Sequence, residues 1–91
     1  MYAFISKERF AAAGPAATAV LRHRERDAEI KGRRWRFERG TVSGDGRASA
    51  WAEFSDEADY GKTLGKLSIR AEENKAGGWT VTHSVRRAVK P

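Results

Sequence analysis

The chain contains no cysteine. That excludes a disulfide framework and any thiolate metal site, so the fold must stand on packing alone. There are only two histidines, His23 and His83, 60 positions apart. Read along the chain they are isolated, and neither has a nucleophile placed beside it. No stretch approaches the ~20 apolar residues that span a bilayer. Lys7, Glu8 and Arg9 interrupt the N-terminal apolar stretch where the core of a signal peptide would lie. There is no internal repeat and no low-complexity tract. A soluble, cytoplasmic protein without a membrane partner is the expectation.

With 91 residues, the expectation is one domain, 1–91. A chain of this length buries roughly 60–65% of its unfolded surface, enough for one core but not for a deep cleft between subdomains. The apolar fraction of 40% is slightly low, but aromatics at 10% and several periodic segments argue against disorder. The formal charge is +6, and the excess is largest over residues 66–91. A basic balance favours phosphate or acidic protein surfaces as partners.

The strongest local pattern is a hairpin from Arg33 to Ser55. Asp45-Gly46 between alternating segments signals a two-residue type I′ turn, whose central residues both need φ > 0. Closing the turn there pairs Gly44 with Arg47, Thr41 with Ala50, Phe37 with Phe54 and Arg36 with Ser55. One face then collects Trp35, Phe37, Thr41, Ala48, Ala50, Ala52 and Phe54. The other collects Arg34, Arg36, Glu38, Arg47, Ser49, Trp51 and Glu53. A one-residue slip would mix the two sets.

Upstream, Ser6 is placed to cap a helix over Lys7 to Ala13, with Glu8 in its positive first turn. Gly14-Pro15 ends that helix and opens a second, which runs to about Ile30 and stops near Gly32. Its stripe is Ala13, Ala17, Val20, Leu21 and Ala28, small residues that let it lie close on the alanines of the sheet. Downstream, Thr63 to Glu72 forms a third strand with Leu67, Ile69 and Ala71 on one face. Gly78 to Val89 forms a fourth, with Trp79, Val81, His83 and Val85 inward and Thr80, Thr82, Ser84 and Arg86 outward. The expected fold is α+β: a helix broken at Gly14-Pro15 and packed on a four-stranded antiparallel meander.

Gly44-Asp45-Gly46-Arg47-Ala48 opens one strand and Gly78-Trp79-Thr80-Val81 opens the last. In these segments the chain resembles the short NTF2-like and cystatin-like α+β folds, over about half its length, from Val42 to Val85. Those families host enzymes, transport factors and binding modules, so the resemblance implies no catalytic residue.

Catalytic motifs fail on spacing. Gly61-Lys62-Thr63 lacks the glycine five residues earlier that a phosphate loop needs; Asp56 stands there. Gly44-Asp45-Gly46 has Ser49 where a dinucleotide fingerprint has its third glycine. Asp56, Glu57 and Asp59 lack the alternation of a calcium loop and read as a solvated acidic loop. His83 reads as a core-facing histidine satisfied by backbone, and His23 as exposed among arginines. Neither a catalytic residue, a cofactor nor a metal site is expected.

The outer sheet face is the better candidate. Arg34, Arg36, Arg47, Lys66, Arg70 and Arg86 surround Trp51 there. Cations around an exposed aromatic suit a phosphate backbone with a stackable base. The expectation is a non-enzymatic basic module that engages nucleic acid or a nucleoprotein complex. A phage or plasmid accessory or inhibitor protein, such as an anti-CRISPR, fits that description. The alternative is an NTF2-like or cystatin-like interaction module that forms a homodimer through its sheet.

Overall fold

The computed structural model describes residues 4–31, 34–43, 48–56 and 63–89, without the side chains of 63, 64 and 87–89. Two helices, α1 (Lys7–Ala11) and α2 (Pro15–Arg26), precede four strands: β1 (Trp35–Ser43), β2 (Ser49–Asp56), β3 (Thr63–Glu73) and β4 (Trp79–Val89). The strands form one antiparallel sheet in the order β1-β2-β3-β4. The α+β meander read from the sequence is therefore the fold. No helix of the described residues is long and apolar enough to cross a membrane.

Local chemistry sets the helix ends. Ser6 Oγ accepts from the backbone N–H of Arg9 at 3.3 Å and caps α1. Gly14 takes φ 138°, a conformation side chains oppose, and Pro15 follows in the first turn of α2. α2 stops at Arg26, four residues short of the expected end. Asp27 leaves the helix with ψ 130° and its Oδ1 accepts from the N–H of Glu29 at 2.9 Å. This side-chain turn competes with the helical hydrogen bond and wins. Ala28 is consequently exposed rather than part of the buried stripe, whereas Ile30 swings under the sheet and is fully buried.

One core joins α2 to the sheet. Ala16, Ala17 and Val20 pack with Phe54, Leu67, Ile69 and the small Ala50, Ala52 and Ala71. The small residues bring helix and sheet close, as the alanine stripe implies, although Ala48 itself is exposed. Phe10 of α1 is also fully buried, with its ring 5.4 Å from that of Phe37.

The β1-β2 register is correct at its outer end and displaced nearer the turn. Arg36 pairs with Ser55 and Phe37 with Phe54, as expected. A bulge then intervenes between Phe37 and Arg39, so Thr41 pairs with Trp51 rather than Ala50. The extra residue is Glu38, and it inverts the alternation beyond it. Gly40 and Val42 face the core, while Arg39 and Thr41 join the outer face. The two-residue turn at Asp45-Gly46, with its Gly44–Arg47 pair, lies outside the described residues. Asp56 is the last residue of β2, opposite Trp35, rather than part of a loop; Glu57 and Asp59 lie outside the described residues.

At the β3-β4 connection, Asn74 Oδ1 accepts from the N–H groups of Ala76 and Gly78, both at 3.0 Å. Gly77 supplies φ 83°. The connection fixes the register that brings Ile69 opposite His83 and Lys66 opposite Arg86.

Candidate nucleic-acid interface on the open sheet face

The antiparallel register sorts the outer face into rows. Arg36, Ser55, Lys66 and Arg86 are successive cross-strand neighbours; so are Arg39, Glu53, Ser68 and Ser84; so are Thr41, Trp51, Arg70 and Thr82. Side chains along such a row stand close enough to act as one surface. Five of the seven expected site residues come together in these rows: Arg36, Trp51, Lys66, Arg70 and Arg86. Arg34 is exposed immediately before β1, outside the paired rows. Arg47 lies outside the described residues.

Two contributors were not legible from strict alternation. Arg39 reaches the outer face only because Glu38 is bulged. A charged residue at a position that alternation assigns to the core is the signal that would have found it. Phe4 precedes a bridge in which Ile5 donates its N–H to the carbonyl of Gly40 at 3.0 Å. That bridge extends the sheet beyond β1 and sets Phe4 beside Trp51, with ring centroids 6.5 Å apart. The guanidinium of Arg39 lies 5.3 Å from the Phe4 ring centroid. Phe4 is nevertheless 60% exposed, the one large apolar side chain that is so exposed among the described residues.

Charge on this face is partly neutralised. Arg36 meets Glu38 at 3.0 Å, Arg39 meets Glu53 at 2.9 Å, and Arg70 meets Glu72 at 3.4 Å. Exposed pairs of this kind are worth about 0–1 kcal/mol and open readily to a competing anion. Lys66 and Arg86 form no ion pair among the described residues. Glu38 also accepts from the hydroxyl of Ser55. That bond, then the Arg36 guanidinium, with help from the charge on Lys66, holds the Glu38 carboxyl below the usual carboxylate range.

Among the described residues, Trp51 borders several hollows. One of about 360 Å³ is bordered by Arg39, Glu53, Lys66, Ser84 and Arg86. A second, of about 220 Å³, runs past Arg70 and Thr82. A third, of about 80 Å³, lies toward Thr41 and Ser49. The indole is thus a half-buried wall with cations on several sides.

On the opposite face, the histidines expected to be isolated meet. His23 of α2 and His83 of β4 stand 2.8 Å apart, Nε2 to Nδ1. His23 is half-buried rather than exposed, and the partners of His83 are side chains rather than backbone. The sequence carries no local sign of this, since the register of β4 and the docking of α2 both have to be known.

No protein-family model, no curated protein and no solved structure matches the chain.

Proposed function

We propose that this chain is a non-enzymatic binding module of the cytoplasm. Its open sheet face takes up nucleic acid, free or within a nucleoprotein complex, with unpaired bases preferred. The observation that carries this reading is Trp51 and Phe4 standing together on the outer face amid Arg39, Lys66, Arg70 and Arg86. An aromatic platform gives a base something to stack on whatever its identity, and the flanking cations follow the phosphates. Lys66 and Arg86 offer charge that is not held in an ion pair among the described residues.

The test is fluorescence anisotropy of a labelled single-stranded oligonucleotide, titrated with the protein over a range of salt. Non-specific affinity on the order of 10⁻⁴–10⁻⁶ M is expected at physiological salt, falling steeply as salt rises. Trp51→Ala is expected to weaken single strands by about 1–3 kcal/mol. Absence of binding to either single strands or duplex at low salt overturns the reading.

A second reading has its own observation. β4 is an edge strand of eleven residues, and no described strand pairs with its outer side. Such an edge can join a second copy, which is the homodimer that an NTF2-like or cystatin-like interaction module would form. Sedimentation distinguishes the two: a concentration-dependent dimer that ignores oligonucleotides favours the homodimer.

A further inference from the structure

Four potential ligand side chains converge where the end of α2 crosses β4, on the side of the sheet away from Trp51. One ring nitrogen each of His23 and His83 and one carboxylate oxygen of Asp27 lie within 4.8 Å of one another. His23 Nε2 is 3.6 Å from Asp27 Oδ2, and His83 Nε2 is 3.9 Å from Asp27 Oδ1. The Oε2 of Glu29 lies 3.1 Å from His83 Nε2. We propose that these side chains form a site for a divalent transition metal of the zinc type. In it, His23, Asp27 and His83 are the ligands, and Glu29 closes the shell.

Three independent features converge on this site. First, the donor types fit. Two imidazoles and one or two carboxylates suit zinc, cobalt or iron, whereas magnesium and calcium favour all-oxygen sites. Second, the spacing fits. Ligand bonds of ~2.0–2.1 Å put tetrahedral donor atoms about 3.3 Å apart; His23 Nε2 to Asp27 Oδ2 at 3.6 Å and His83 Nε2 to Glu29 Oε2 at 3.1 Å lie near that value. One ion takes one nitrogen of His83, so the contact of His83 Nδ1 with His23 Nε2 opens as Nε2 turns to the ion. Third, the ligands are delivered by separate but fixed elements. His23 and Asp27 are four positions apart, so one helical turn carries both to the same side. The premature end of α2 at Asp27 turns the chain so that Glu29 returns to the same place. His83 is held by its pairing with Ile69, whose side chain is fully buried.

The arginine next to His23 in the chain does not crowd the site. Arg24, next to His23 in the chain, donates to the carbonyl of Trp35 at 3.2 Å and lies over the ring of Phe54. It is therefore turned toward the core and the start of β1. The side chains of His23, His83 and Asp27 keep 19%, 15% and 26% of their surface, which leaves a path for an ion from solvent. The Glu29 carboxylate can only accept, so His83 Nε2–H donates to it, and His83 Nδ1 then accepts from His23 Nε2–H. The ion displaces these hydrogen bonds and ties the C-terminal end of α2 to the edge strand. With four protein donors, the role is structural rather than catalytic.

The experiment uses the full chain without an affinity tag, stripped with a chelator and titrated with cobalt(II), followed by competition with zinc. One equivalent of cobalt is expected to produce the intense visible bands of a four-coordinate site, zinc to abolish them, and zinc to raise the Tm. His23→Ala and His83→Ala are expected to weaken zinc at least about 100-fold, more than a supporting residue would. His83→Gln and Asp27→Asn keep size and hydrogen bonding, and they carry the test if the alanine variants fail to fold. Weak bands typical of hydrated cobalt, a Tm indifferent to zinc, or full affinity in a folded His83→Gln protein would each overturn the proposal. Oligonucleotide binding through Trp51 is a separate readout and does not enter the result.

Discussion

Trp35 donates its indole N–H to the backbone carbonyl of Ile30 at 2.9 Å, inside the core. The bond closes the passage from the end of α2 to the first residue of β1. It also satisfies a carbonyl that has left the helical ladder and whose residue is fully buried. Trp35→Phe keeps an aromatic ring but leaves that carbonyl without its partner. A loss of about 1–3 kcal/mol is expected from the stranded acceptor, measured by urea unfolding. An unchanged midpoint would show that water or another donor replaces the indole.

Gly40 faces Phe10 without room between them. A Cβ added at Gly40 would lie 2.7 Å from Cδ2 of Phe10 and 3.0 Å from Cζ of Phe37. Gly40→Ala is expected to destabilise the fold by about 1–3 kcal/mol through overpacking. Phe10→Leu in the same chain should recover part of that loss, because it removes the ring edge that clashes. Strictly additive costs in the double variant would argue against a direct contact.

Phe54 is fully buried, edge-on to Phe37 and opposite Leu67. Phe54→Ala should cost about 3–5 kcal/mol. That approaches the whole stability of a small domain, roughly 5–15 kcal/mol. Thermal melting monitored by circular dichroism checks it. A fall in Tm of only a few degrees would mean that the neighbouring side chains collapse into the vacated space.

Glu38 titrates below the usual range because Ser55 and Arg36 hydrogen-bond its charged form. A carboxyl whose folded pKa lies below its unfolded pKa stabilises the fold above the unfolded value. That contribution fades as pH falls through the window between the two and is absent below the folded value. Wild type should therefore exceed Glu38→Gln in stability at neutral pH, with the difference vanishing in acid. Unfolding midpoints of the two proteins across the acid limb measure this. A difference that grows as pH falls would contradict the sign.

Phe4 stands beside Trp51 on the outer face. If that face binds nucleic acid as proposed, Phe4→Ala is expected to weaken single-strand binding less than Trp51→Ala, within the ~1–3 kcal/mol of a stacked base. Lys66→Ala and Arg86→Ala should each reduce the slope of log affinity against log salt by about one unit. Anisotropy titrations at several salt concentrations separate these effects. A stacking residue lowers affinity at every salt, whereas a phosphate contact changes the slope.

What the sequence determined by itself is what a few neighbouring residues can decide. Ser6 caps a helix because its hydroxyl reaches the N–H of Arg9 three positions on. Gly14-Pro15 breaks the helix, and alternation in β3 and β4 sends Leu67, Ile69 and Ala71 inward and Arg86 outward. Phe37 opposite Phe54 also followed from local pattern. Tertiary structure decided the rest. The bulge at Glu38, whose carboxylate accepts from the hydroxyl of Ser55 seventeen positions away, sends Arg39 outward and seats Gly40 against Phe10. The end of α2 at Asp27 is set by a side-chain turn that brings Ile30 beneath the sheet. His23 and His83 meet across 60 positions because α2 docks over a strand whose register is fixed elsewhere. Periodicity and turn chemistry are short-range and can be read in order along a chain. The partners of a bulge or of a histidine are chosen by how whole elements pack, which no local window contains.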